Sequence, residues 1–169
     1  GPTAYKVGGY TITHHVASGI GKASFDTGVS FSYLMAQAGK ESSFRPDVSA
    51  RDSSATGLFQ FTEQTWLEML RRHGSNYGLD SVTSEIYRGS DGLLTAKNPD
   101  TLSRLLDMRK DPNLSALMAG EYAKSNKNVL EQALGRKVDD TDLYIAHFLG
   151  PIGAKNILQA KASNPGQSA

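Results

Sequence analysis

The chain has 169 residues, with 18 Lys and Arg against 17 Asp and Glu, and no cysteine. That length suffices for one domain with its own core, and the missing cysteine excludes a disulfide framework and a thiolate metal site. A formal charge of +1, with Lys and Arg scattered, excludes the clustered basic surplus of a nucleic-acid binder.

Gly1-Pro2 reads as a protease-cleavage scar, so an export signal is expected to have been removed. Thr3 to Tyr10 contains glycines and reads as an irregular, extended stretch, making residues 1–12 an N-terminal arm. Thr13 to Ala23 reads as a first helix with Val16 and Ile20 on one side, and the adjacent His14-His15 belongs to the surface or the arm. Asp26-Thr27-Gly28 is expected to open and cap a second helix. In it Phe31, Leu34, Met35 and Ala38 fall at the spacing of a buried face. Pro46 to Thr56 has no periodicity and reads as a loop along a groove.

Thr62 to His73 is a helix capped by Thr62, with Glu63 early, Arg71-Arg72 late and Gly74 as its stop. Trp66, Leu67 and Leu70 belong to its core side, while Arg71-Arg72 with Glu63 and Glu68 form a solvated face. Asn76 to Asn98 is polar and punctuated by glycine, with one short helix expected at Ser81 to Tyr87. Asp111-Pro112 begins another helix that places Leu114, Leu117, Met118, Glu121, Tyr122 and Ser125 on one face. Glu121 is read there as a buried structural partner for an arginine such as Arg104 or Arg109, rather than as a catalyst. Asn128 to Leu134 reads as a short helix ended by Gly135. Asp140 to Leu149 is apolar nearly all round, the pattern of a central helix, and Pro151 to Ala162 closes the domain. Residues 163–169 read as a linker or tail, so a longer native protein is expected. No alternating run is long enough for a sheet. The expected class is all-α, with one domain over residues 13–162.

Two segments carry chemistry. About 100° per residue places Glu41 only about 20° from the direction of Leu34, so the apolar stripe runs straight into a carboxylate. A glutamate on a water-poor face holds its proton toward neutrality, which general-acid catalysis requires. The competing reading is a helix-end glutamate paired with Lys40 or Arg45. Sixteen residues on comes Gly57-Leu58-Phe59-Gln60-Phe61, entered through Ser53-Ser54-Ala55-Thr56. Small residues leading into glycine allow a tight backbone turn, and a glutamine between two phenylalanines needs hydrogen-bond partners. It is either a structural turn or the wall of a sugar-binding groove.

Together these segments resemble the catalytic domain of the soluble lytic transglycosylases, relatives of the goose-type lysozymes. Glu41-Ser42 matches that family's Glu-Ser pair at a helix end. Gly57-Leu58-Phe59-Gln60 matches its Gly-Leu-Met-Gln stretch, with Phe59 in place of methionine. Ala146-His147-Phe148-Leu149-Gly150 stands where the family has Ala-Tyr-Asn-Ala-Gly and keeps only the outer Ala and Gly. The variants look like those of a proteobacterial subgroup, and the likeness runs from about Val29 to Ile157.

The resemblance implies a lysozyme-like α-helical domain with a substrate groove. It implies cleavage of the bond between N-acetylmuramic acid and N-acetylglucosamine in peptidoglycan, without metal or cofactor. Glycoside cleavage normally uses two carboxylates, but this family manages with one. Glu41 would protonate the bridging oxygen while the substrate's N-acetyl group stabilises C1. The ionised Glu41 would then take the proton of the C6 hydroxyl, giving a 1,6-anhydro sugar. Gln60 and a hydroxyl of Ser53 or Ser54 would orient the N-acetyl group, beside Phe61. Tyr122 and Phe148 are candidate sugar-facing aromatics, with a core position as the competing reading for each. His147 takes the place of the family tyrosine, to face Glu41 or to be a satisfied core histidine. The expected protein is a periplasmic or otherwise exported monomer whose partners are glycan strands and, through regions outside this chain, cell-envelope machinery.

Two further readings stay open. Asp47 or Asp52 could hold a water for lysozyme-like hydrolysis, or each could simply cap a loop. A cell-wall-binding assembly protein with little chemistry is the other. The histidines at 14, 15, 73 and 147 have no metal-binding spacing, and the serines at 53, 54 and 125 have no recognisable histidine-acid partnership.

Overall fold

The computed structural model describes residues 3–163. The expected cleavage scar at Gly1-Pro2 and the tail from 164 onward lie outside the described residues. The chain is mostly helical, with two small sheets, and divides into two compact units, Gly1–Glu121 and Tyr122–Ala169.

The first unit opens on a hairpin rather than an irregular arm. Strand β1 (Ala4–Val7) pairs antiparallel with β2 (Tyr10–Thr13), in the register Ala4 to Thr13 and Val7 to Tyr10. Gly8 and Gly9 both have positive φ, 54° and 85°, as two-residue hairpin turns require. Strands of four residues are too short to show alternation, and Ile12 is their one buried side chain.

Thr13 caps α1 (His14–Thr27), its hydroxyl accepting from the Val16 N–H. The helix runs past Ala23 to Gly28, whose left-handed φ of 77° closes it. Asp26-Thr27-Gly28 therefore ends one helix instead of opening the next. The cap of α2 (Phe31–Ser42) is Ser30, which accepts from the Tyr33 N–H. Its buried stripe is rotated from the expected one. Leu34 and Ala38 are buried with Tyr33 and Gln37, whereas Phe31 is exposed.

α3 (Glu63–His73) follows its sequence signals, with Thr62 as cap. Trp66, Leu67 and Leu70 lie in the core, Arg71 and Arg72 outside it. A 3-10 turn at Gly74–Tyr77 leads to the short α4 (Asp80–Thr83). The helix expected to reach Tyr87 stops there. Ile86–Arg88 instead forms β3, antiparallel to β4 (Leu94–Ala96) around a turn in which the Gly89 N–H donates to Leu93 O at 2.8 Å. The Gln64 side chain pins this hairpin to α3 by donating to Leu94 O and accepting from Leu94 N–H, both at 2.9 Å.

Asn98 then caps α5 (Pro99–Asp107), a helix beyond the sequence expectation although Asn98-Pro99 is a start signal. Trp66 Nε1 donates to Leu105 O at 2.9 Å and ties α3 to α5. A 3-10 turn at Met108–Lys110 precedes α6 (Pro112–Leu134), which contributes Pro112–Glu121 to the first unit and its remainder to the second. Asn128–Leu134 is the end of this helix and not a separate one, because nothing between Glu121 and Gly135 interrupts the backbone ladder.

In the second unit α7 (Asp140–Ser163) is broken at Gly150-Pro151, where Gly150 adopts φ 79° and ψ 163°. Its core is Leu130, Ala146, Ala154 and Leu158, with Leu134, Val138 and Ile145 packed against it. The first half of α7 is not apolar-buried all round. Leu143 and Ala146 are buried, while Phe148 and Leu149 are exposed. Asp142 receives hydrogen bonds from Arg136 Nη1 and Asp139 N at 2.9 and 3.0 Å, and its own N–H donates to Asp139 Oδ1 at 2.9 Å. Burial pushes the Asp142 carboxyl up, but these donors outweigh it and hold the group below its ordinary value.

Candidate functional site

Glu41 lies in the last turn of α2, half-buried. The helix ends at Ser43, left-handed at φ 54°, and Phe44 follows at φ 63°. The chain therefore turns sharply just after the carboxylate. Phe44 is buried and meets the Tyr10 ring edge-on at 5.3 Å, so the β1–β2 hairpin supports this turn. Burial pushes the Glu41 carboxyl above its ordinary value, with the adjacent Lys40 charge pulling the other way. Gln37 Nε2, one turn earlier, donates to Glu41 Oε1 at 3.3 Å.

Ser42 joins the two sequence motifs. Its hydroxyl is buried and lies 2.8 Å from Leu58 O, across sixteen positions, and 3.0 Å from Ala38 O. The second motif is a compact turn. Thr56 bridges to both Ser49 and Phe61, and the Gly57 N–H donates to Val48 O at 2.9 Å. Gly57 sits at φ 90°, and a Cβ there would overlap the Arg109 carbonyl oxygen. Only glycine satisfies both demands.

Gln60, at φ 52°, donates through Nε2 to Val48 O at 3.0 Å and Gly57 O at 2.9 Å. Its amide nitrogen holds the turn, leaving Oε1 as the atom that can meet a ligand. Ser53 and Ser54 are exposed and accept from Ala55 N and Glu63 N, both at 3.2 Å. Phe61 is buried and packs on Trp66 at 5.5 Å between ring centroids. Asp47 and Asp52 are exposed on the loop after α2.

Arg109 is what the sequence reading missed here. It is buried, donating to Leu106 O at 2.9 Å, Ser54 O at 2.6 Å and Phe61 O at 3.0 Å, and so clamps both ends of the Ser54–Phe61 segment. Its partners are backbone carbonyls, which leave no signature in a sequence. Neither Arg109 nor Arg104 serves Glu121. Arg104 pairs with Glu85 at 3.2 Å, whereas Glu121, 4% exposed, accepts from Tyr77 Oη at 2.5 Å and lies 3.3 Å from His73 Nδ1. Burial first, then the bond to Glu121, pushes the Tyr77 phenol well above its ordinary value.

No family model matches the chain.

Tyr122, His147 and Phe148 belong to the second unit. The rings of Tyr122 and His147 meet edge-on at 5.7 Å, both half-buried, and burial pushes the Tyr122 phenol up. Phe148 is 82% exposed, so the core reading does not hold for it. A cavity of about 460 Å³ in the first unit is lined by Lys22, Ala23, Tyr77, Asp111, Leu114 and Leu117 among others, and by none of the predicted site residues. Among the described residues no helix is long and apolar enough to cross a membrane, and no group of His, Asp or Glu is arranged to hold a metal ion.

Proposed function

We propose that the protein is a peptidoglycan lytic transglycosylase with a lysozyme-like helical fold. It would cut between N-acetylmuramic acid and N-acetylglucosamine and leave a 1,6-anhydro end. One observation carries the reading. Glu41, with its carboxyl pushed up by burial, is tied through its neighbour Ser42 to the Gly57–Gln60 turn. The residues that suggest the chemistry in sequence are thus one local structure.

Burial that favours the neutral acid suits the first step, in which Glu41 protonates the bridging oxygen. The substrate's N-acetyl oxygen stabilises C1. The ionised Glu41 then takes the C6 hydroxyl proton as that oxygen closes on C1, and the acid is regenerated. Gln60 Oε1 can accept from the N-acetyl N–H, and the Ser53 hydroxyl can donate to a sugar oxygen. A glycan of the cell wall places the working protein in the periplasm or outside the cell, acting as a monomer on the strand.

Digestion of purified sacculi tests the reading by mass spectrometry of the released fragments. Anhydro ends are expected. Reducing ends would establish hydrolysis, with Asp47 or Asp52 as the residues to replace next. Pelleting with the wall and no release would establish a binding protein. Glu41→Gln keeps the shape but has no proton to give, so turnover is expected to fall by about 10² to 10⁴. Near-normal turnover in that variant would remove Glu41 from the mechanism.

A further inference from the structure

We propose that Gln37 is the positioning residue for Glu41, its buried amide holding the carboxyl group from one turn back on α2. The proposal rests on the reading of Glu41 as acid and then base. Gln37 is 2% exposed, on the same buried face as Leu34 and Ala38. The one hydrogen bond of its side chain among the described residues is the donation from Nε2 to Glu41 Oε1 at 3.3 Å. Its Oε1 is buried and has no hydrogen-bond partner. A buried amide with its carbonyl unmet is a desolvation cost that methionine or leucine would not carry at this position. What the amide provides, and those side chains cannot, is a bond to Glu41.

The chemistry of an amide fits a carboxyl group that changes state. Its N–H donates to the carboxylate, and half a turn about Cγ–Cδ presents its oxygen to the hydroxyl of the neutral acid. Lysine could serve only the first state and a carboxylate only the second. The spacing of four residues puts the two side chains on one helix face, so the contact needs no other element to form it. Burial raises the Glu41 carboxyl, and because a bond to the ionised form is the stronger of the two, a Gln37 donor would oppose that rise. The charge acting on Glu41 is that of Lys40, which pulls in the same direction. The Gly57–Gln60 turn tied to Ser42 carries no titratable side chain.

The test is a carbon-13 NMR titration of the glutamate carboxyls in the wild type, Gln37→Met and Gln37→Leu, with Glu41→Gln identifying the Glu41 signal. The Glu41 midpoint is expected to move upward by about half a pH unit to one unit in both variants. With peptidoglycan as substrate, kcat should fall with KM unchanged, and its alkaline limb should move with the midpoint. An unmoved Glu41 midpoint in a folded Gln37→Met or Gln37→Leu protein would overturn the proposal and leave Gln37 a packing residue. A midpoint that moves, alongside a Glu41→Gln protein that still cleaves sacculi, would preserve the coupling and overturn the reading of Glu41 as the acid.

Discussion

At the scale of single residues, the environment that suits Glu41 for proton donation also has a thermodynamic signature. A folded-state pKa raised above the ordinary 4.5 means that the native protein binds this proton more tightly than the unfolded chain. The resulting stability is present in full below the unfolded value and is lost as pH rises through the folded one. Glu41→Gln is neutral throughout. Its stability relative to wild type should therefore improve as pH rises from below 4.5 to neutrality, measured by urea unfolding at a series of pH values. A difference independent of pH would mean that the carboxyl is as well solvated in the fold as out of it. Gln60→Ala acts differently, because its amide holds Val48 O and Gly57 O. Two hydrogen bonds at about 1 kcal/mol each predict a loss of roughly 1–2 kcal/mol, together with lower turnover. Turnover that falls with no change in unfolding midpoint would show that the amide faces the substrate instead.

At the scale of elements, what the sequence revealed depended on how local the cause was. α3 was legible because cap, first-turn acid, last-turn bases and core stripe all lie within twelve residues. The Glu41-Ser42 and Gly57–Gln60 segments were legible as residue types at a spacing, but the Ser42 bond that joins them was not. The two hairpins escaped because strands of three or four residues show no period, although Gly8-Gly9 marked the first turn. Gln37 was hidden by the expected stripe of Phe31, Leu34, Met35 and Ala38, yet a glutamine four residues before a candidate acid was a usable signal. Glu121 could not be matched to Tyr77, 44 positions away, since pairing over such a span has no sequence pattern. Arg109 is the clearest case, and it can be tested. Arg109→Met keeps the length of the side chain but leaves the carbonyls of Leu106, Ser54 and Phe61 without their donor. The variant should lose roughly 2–4 kcal/mol by thermal or urea unfolding, and the loosened turn should lower turnover as well. A variant as stable as wild type would show that water replaces the guanidinium at no cost.

At the scale of the whole molecule, each unit carries one carboxyl group shifted from its ordinary value, in opposite senses, and acid should act on the two units differently. In the first unit, Glu41's contribution to stability is complete below 4.5. In the second, Asp142 is held below its ordinary 3.8 by Arg136 and the Asp139 N–H, against the effect of its burial. A depressed carboxylate contributes stability above the unfolded value and loses it as pH falls through the folded one. Acidification below 3.8 should therefore weaken the second unit through Asp142, whereas protonation of Glu41 costs the first unit nothing. The single tryptophan, Trp66, is fully buried in the first unit and reports on it alone by fluorescence. Far-UV circular dichroism reports helices in both. On acid titration the dichroism should begin to fall before the fluorescence changes, and Asp142→Asn, which keeps no anion to protonate, should show the early loss already at neutral pH. Coincident transitions by the two probes, in wild type and variant alike, would mean that the chain unfolds as one cooperative unit and that the hydrogen bonds of Asp142 do not govern its response to acid.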